Sequence, residues 1–132
     1  MSLASDAIVI GVTGAFGSGC STAAQLLNRQ QGFQRVKLSD IIRHDDRLGN
    51  DPSRQQLQAM GNRIREEEDP AVLVRRALRD LERELRTHRR IVFDGIRNSG
   101  EVIALRDAFG YRFSLLGVLS GGETRWERVQ GE

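Results

Sequence analysis

The stretch AIVIGVTGAFGSGCST, Ala7 to Thr22, decides how the rest of the chain is read. Ala7 to Gly11 is a short apolar, β-branched run without polar alternation, the pattern of a buried strand. A glycine-rich turn follows. From Ser21 to Gln31, Ala23, Ala24, Leu26 and Leu27 give one apolar helix face, ended by Gly32. Strand, glycine turn and helix in this order are the setting a phosphate-binding loop requires. Gly14-x4-Gly19-x-Ser21 matches the pattern GxxxxGK[ST] at every fixed position but one, because Cys20 stands where the lysine belongs. The order G-x-x-G-x-G differs from the G-x-G-x-x-G of dinucleotide-binding turns.

The glycines let consecutive backbone N–H groups point at one anion, and the helix start adds about half a positive charge. Ser21 supplies the hydroxyl that such loops place on Mg²⁺. The lost lysine matters: a unit charge 4 Å from a phosphate is worth at most about 4 kcal/mol at an effective dielectric near 20, or nearly three decades of affinity. The amide nest survives that loss, so anion binding and phosphoryl transfer need not stand or fall together.

Composition narrows the rest. The chain has 132 residues, one domain's worth, with 39% hydrophobic and 29% charged residues in near balance. This excludes a disordered or collagen-like chain, and no stretch approaches the roughly 18 apolar residues a membrane span needs. A single cysteine excludes a disulfide framework and a multi-cysteine zinc site. With no secretory signal visible, a reducing, cytoplasmic setting is expected. Net charge is only +2, and seven aromatics are too few to suggest a nucleic-acid face. All cations but Lys37 are arginines, the residue suited to bidentate phosphate contacts.

Beyond the loop, strands and helices alternate. Phe33 to Leu38 reads as a second strand, with Ser39-Asp40 capping a short helix that carries Ile41, Ile42 and Arg43. His44 to Pro52 reads as loop. Asp51-Pro52 and Asp69-Pro70 each read as an N-cap followed by proline at the first helical position. The first opens a helix with Leu57, Met60 and Ile64 on one stripe, the second a helix with Val74, Leu78, Leu81 and Leu85 on one face. The Arg and Glu residues elsewhere on these helices read as a solvated face. Ile91 to Asp94 is a third strand, Ser99 the cap of a helix running to about Gly110, Phe113 to Leu119 a fourth strand, and Glu123 to Gln130 a last helix. The alternation predicts an α/β fold with a mostly parallel sheet, and four strands are expected in the order 2-3-1-4. In such a sheet, strand C-termini share one edge, where ligands bind. Asp40, Arg43, Asp94 and Arg97 should therefore gather near the glycine loop, the acids to hold Mg²⁺ or accept a proton, the arginines to clamp phosphates.

The motifs GAFGSGCST, LSDIIR, LQAMGNRIREE, VFDGIRN-GEV and ETRWERV together resemble the P-loop nucleoside-monophosphate kinases of the adenylate kinase and dephospho-coenzyme-A kinase group. The chain is most similar to the kinase-like modules that precede a deoxycytidylate deaminase domain in some bacteria. The resemblance runs over about Ile8 to Arg128. It implies a three-layer P-loop nucleotide kinase-like fold using ATP and Mg²⁺. Gly14, Gly17, Ser18, Gly19, Cys20, Ser21 and Thr22 would hold the donor phosphates, with Ser21 and Asp94 at the metal. Asp40 and Arg43 match the acceptor-binding segment. Asp94 and Arg97 match the strand-end acid and the phosphate-contacting arginine that follows it. Arg128 fits the arginine that opens the lid. In the family the lid and a fifth strand come after this point, so residues 1–132 read as a single domain stopping short of both.

Two functions stay open on the sequence. One is a nucleotide kinase-like enzyme moving the γ-phosphoryl of ATP to a small nucleotide-type acceptor. The other is a catalytically silent nucleotide-binding or sensing module attached to a deaminase domain. The intact glycines support both; Cys20 and the missing lid weigh toward the second, and Asp40, Arg43 and Arg97 toward the first. No nucleic-acid or membrane partner is expected.

Overall fold

The computed structural model describes residues 7–14 and 20–118, with the backbone alone for Cys20, Ser21 and Leu85. The expected helix at 123–130, the loop residues Gly17, Ser18 and Gly19, and Arg128 lie outside the described residues. The chain runs β1 (Ile8–Gly14), α1 (Cys20–Gln31), β2 (Gln34–Lys37), α2 (Leu38–Ile42), α3 (Arg54–Glu67), α4 (Val72–Asp80), α5 (Glu82–Thr87), β3 (Arg90–Asp94), α6 (Ser99–Phe109) and β4 (Phe113–Val118). A single 3-10 turn at Gly110–Arg112 leads into β4.

The four strands form one sheet in the expected order β2-β3-β1-β4, and every pairing is parallel. The apolar first strand sits inside the sheet. It extends to Gly14, three residues beyond the expected run, because β4 pairs with it as far as Gly14↔Val118. Helices cover both faces, giving three layers. On one face Val12, Val92 and Phe33 pack with Ala24 of α1. On the other, Val9, Val36, Ile91, Phe93 and Phe113 meet the apolar stripes of α2, α3, α4 and α6. Gly11 is fitted to this second face, where a Cβ would come within 3.0 Å of the Phe113 ring.

Several helix starts differ from expectation, each for a local reason. Lys37, not Ser39 or Asp40, is the N-cap of α2, so Asp40 lies in the first turn. Asp51 has a positive φ of 53° and belongs to a turn. Ser53 caps α3 instead, and its Oγ and the Gln56 side chain exchange bonds with each other's backbone N–H. Asp69 Oδ1 does accept the N–H of Ala71 at 2.8 Å, but α4 starts only at Val72. The single helix expected through Leu85 breaks at Leu81, which leaves helical geometry and separates α4 from α5. Asn98 replaces Ser99 as the cap of α6, its Oδ1 accepting the Glu101 N–H at 2.9 Å. Leu26, expected on the buried face of α1, is exposed, while Ala24 is buried. Gly32 and Gly110 end α1 and α6 with positive φ, as their sequence positions suggest.

Candidate phosphate-binding site at the strand ends

β1 ends at Gly14 and α1 begins at Cys20, so the glycine-rich segment joins a central parallel strand to a helix N-terminus, as its sequence requires. Asp94 closes the neighbouring strand β3, in register with Val12 on one side and Lys37 on the other. Asp94 is buried, at 6% exposure. Arg35 of β2 holds it: Nη2 and Nε both donate to Oδ2, at 2.5 and 3.1 Å. Among the described residues no hydrogen bond reaches Oδ1. Residues paired in register share a face, and Val12 and Val92 pack beneath α1. Arg35 (opposite Val92), Asp94 and Lys37 therefore all belong to the α1 face at the C-terminal edge of the sheet.

The turn after β3 is tied to the end of β1. Gly95 turns with a φ of +102°, a conformation that favours glycine. The Ile96 N–H then donates to the Val12 carbonyl at 3.2 Å, and Thr13 Oγ1 donates to the Ile96 carbonyl at 2.9 Å. This brings Arg97 next to the start of the glycine-rich segment. Its backbone N–H donates to Glu101 Oε1 at 2.7 Å, while its guanidinium is exposed with no ion-pair partner among the described residues.

Asp40 and Arg43 lie just beyond β2 on α2. They face each other, Oδ1 and Nε 3.6 Å apart, and both are exposed. No hydrogen bond or ion pair among the described residues joins them to Asp94 or Arg97. The structure thus places Asp94 beside the strand preceding the glycine-rich segment and ties Arg97's turn to it, and leaves Asp40 and Arg43 as a separate pair.

Three participants escape the sequence reading. Arg35 is not singled out there; the 2-3-1-4 order, once drawn, puts β2 beside Asp94 and could have found it. Arg65 reads as part of a solvated helix face, and Glu101 is not singled out. Instead Glu101 is fully buried and takes the Nη2 of Arg65 on Oε2 at 3.2 Å. Arg65 Nε is buried without a partner among the described residues. Taking Asn98 as the cap puts Glu101 at the third helical position, the place of a capping-box acid, and that signal was in the sequence.

No group of three or more metal-ligating side chains occurs among the described residues. That count does not bear on Mg²⁺ at a phosphate site, where one or two carboxylates act together with phosphate oxygens. Asp94, with one oxygen held and the other without a donor among the described residues, fits such a role. Among the described residues no helix is long and apolar enough to cross a membrane.

A central strand leading through a glycine segment into a helix, in an all-parallel sheet of order 2-3-1-4 with helices on both faces, defines the P-loop nucleotide kinase-like fold class. No protein-family model matches the chain. It is similar to UPF0200 proteins: one from Halobacterium salinarum is 34% identical over 123 residues, covering 92% of this chain and 64% of that protein. A UPF0200/UPF0201 protein of Archaeoglobus fulgidus is 32% identical over 114 residues, covering 86% of this chain and 35% of its own length. The chain therefore spans less than two thirds of the length of these relatives. Among solved structures, TT1252 from Thermus thermophilus superposes with a TM-score of 0.55 at 23% identity, covering 96% of this chain and 72% of that one, a likeness of fold.

Proposed function

We propose that the chain binds the phosphates of a nucleoside triphosphate, ATP in the first instance, at residues 14–22. The observation that carries this is the placement of Asp94: buried at the end of the strand beside β1, in register with Val12, two residues before the glycine-rich segment begins. Backbone N–H groups of that segment and the start of α1 would supply the anion site. Asp94 and Ser21 would hold a Mg²⁺ ion, which neutralises phosphate charge when bound. Arg35 keeps the Asp94 carboxylate fixed and charge-compensated.

The finer reading is kinase-like transfer of the γ-phosphoryl to a small nucleotide-type acceptor, with Arg97, Asp40 and Arg43 on the acceptor side. The exposed guanidinium of Arg97, on a turn tied to β1, supports it. The silent nucleotide-binding reading, in which the module serves an attached deaminase domain, is favoured by Cys20 in the lysine position. Both readings share the binding step and differ in turnover.

Calorimetric titration of the chain with ATP, ADP and AMP, with and without Mg²⁺, tests the shared step. ATP should bind more tightly than AMP, and Mg²⁺ should strengthen ATP binding. Binding of none of the three would end the proposal. A phosphoryl-transfer assay with nucleoside monophosphates then separates kinase from silent binder.

A further inference from the structure

The loop position that carries a lysine in GxxxxGK[ST] holds Cys20, and the chain's one lysine, Lys37, is elsewhere. Its place is informative. Lys37 is the last residue of β2 and the N-cap of α2, so it stands at the C-terminal edge of the sheet. Val36 belongs to the core on the α2–α6 face, which turns Lys37 to the opposite face, the one covered by α1. Lys37, Asp94 and Val12 lie in one row across β2, β3 and β1. Neighbouring strands are about 4.8 Å apart, so Lys37 starts about 10 Å from β1, a gap that a flexible four-carbon ammonium arm largely closes.

Two of the other cations near this edge are committed to acids. Arg35 is bound to Asp94, and Arg43 faces Asp40. Arg97 is exposed on the turn after β3 and is placed above on the acceptor side. Lys37 is half-buried and has no ion-pair partner among the described residues.

We propose that Lys37 supplies from β2 the phosphate-binding ammonium that the glycine loop lacks at Cys20, contacting the β- or γ-phosphate of a bound nucleoside triphosphate. This rests on the triphosphate-binding reading above. The fold then keeps its charge complement with the cation moved from the loop to a neighbouring strand. Because the contact is to the outer phosphates, it acts on ATP and not on AMP.

The test is a double-mutant cycle read by calorimetry, titrating ATP and AMP in Mg²⁺ into the wild-type chain, Lys37→Gln, Cys20→Lys and the double variant. Lys37→Gln should weaken ATP about tenfold, the scale of one screened phosphate contact, and change AMP less than about twofold. Cys20→Lys should restore ATP affinity in the Lys37→Gln background and add less to the wild-type chain. Lys37→Arg should keep ATP binding within about threefold and serves if the glutamine variant does not fold. Wild-type ATP binding that Lys37→Gln leaves unchanged would overturn the inference alone. So would equal losses for ATP and AMP, no rescue by Cys20→Lys, or a Lys37→Arg variant that loses ATP. A wild-type chain that binds neither nucleotide would overturn the triphosphate reading and this inference with it.

Discussion

Asp94 and Glu101 are both buried carboxylates answered by an arginine, on opposite faces of the same sheet, and they are used differently. Glu101 is spent on the protein: Oε1 takes the Arg97 N–H and Oε2 takes Arg65. It binds the turn after β3 to α3 and α6. Among the described residues, Asp94 receives donors on one oxygen alone, from a strand neighbour, and it sits where the strands end. A carboxylate with both oxygens occupied holds a fold together; one with an oxygen unclaimed by protein donors is available to chemistry. Burial alone does not separate the two, whereas the distribution of donors over their oxygens does.

The sharpest way to break this comparison is on the Glu101 side. Arg65→Leu should strand a fully buried carboxylate and cost about 3–5 kcal/mol in urea unfolding. Adding Glu101→Leu should recover much of that loss, and a double variant as unstable as the single one would contradict the pairing. On the other side, Arg35→Leu should cost less, about 1–3 kcal/mol, since Asp94 stands at the sheet edge. A loss equal to that of Arg65→Leu would erase the distinction.

A functional contrast sharpens it further. Asp94→Asn should remove most of the Mg²⁺ enhancement of ATP binding, by about tenfold if one carboxylate contact is lost. Glu101→Gln, in whatever fraction folds, should leave the enhancement intact. Equal effects on Mg²⁺ dependence would place neither carboxylate at the metal.

The smallest effect belongs to a third carboxylate, outside both faces. Hydrogen bonds from the Arg47 side chain, all at 2.9 Å, hold the Asp45 carboxyl down at about 2, and Arg47 also reaches Glu67 on α3. Asp45 has a depressed value in the folded chain, so its stabilisation is complete above its ordinary value near 3.9 and is lost as pH falls toward 2. Asp45→Asn should flatten that acid limb of a stability–pH curve and lower neutral-pH stability by the same amount, a small one because solvent-screened pairs contribute little. An unaltered acid limb would mean that other carboxylates carry it.

Much of the fold was legible because it rests on patterns local in sequence. β-branched runs gave the strands, helical stripes gave α3 and α4, and glycines marked the helix ends. The unbroken apolar character of the first strand marked it as buried in the sheet. Helix starts were less legible, since Asp51, Ser53, Asn98 and Ser99 are all competent caps and packing selects among them. The candidate site was half legible. Asp94 and Arg97 announce themselves after an apolar strand. Arg35 and Glu101 do not, because Arg35 meets its acid 59 residues away and Arg65 lies 36 residues before Glu101.

The strand order also sets a schedule for the chain's birth. β1 emerges from the ribosome first, yet both of its partners, β3 and β4, lie in the segment from Arg90 to Val118. At about 5–20 residues per second, the central strand waits on the order of ten seconds before its neighbours exist. During that wait an apolar strand with two unpaired edges is exposed to every other nascent chain nearby. The slow step of folding is therefore expected to be the closure of β3 and β4 onto β1, and the yield of native protein to depend on how well β1 is shielded until then.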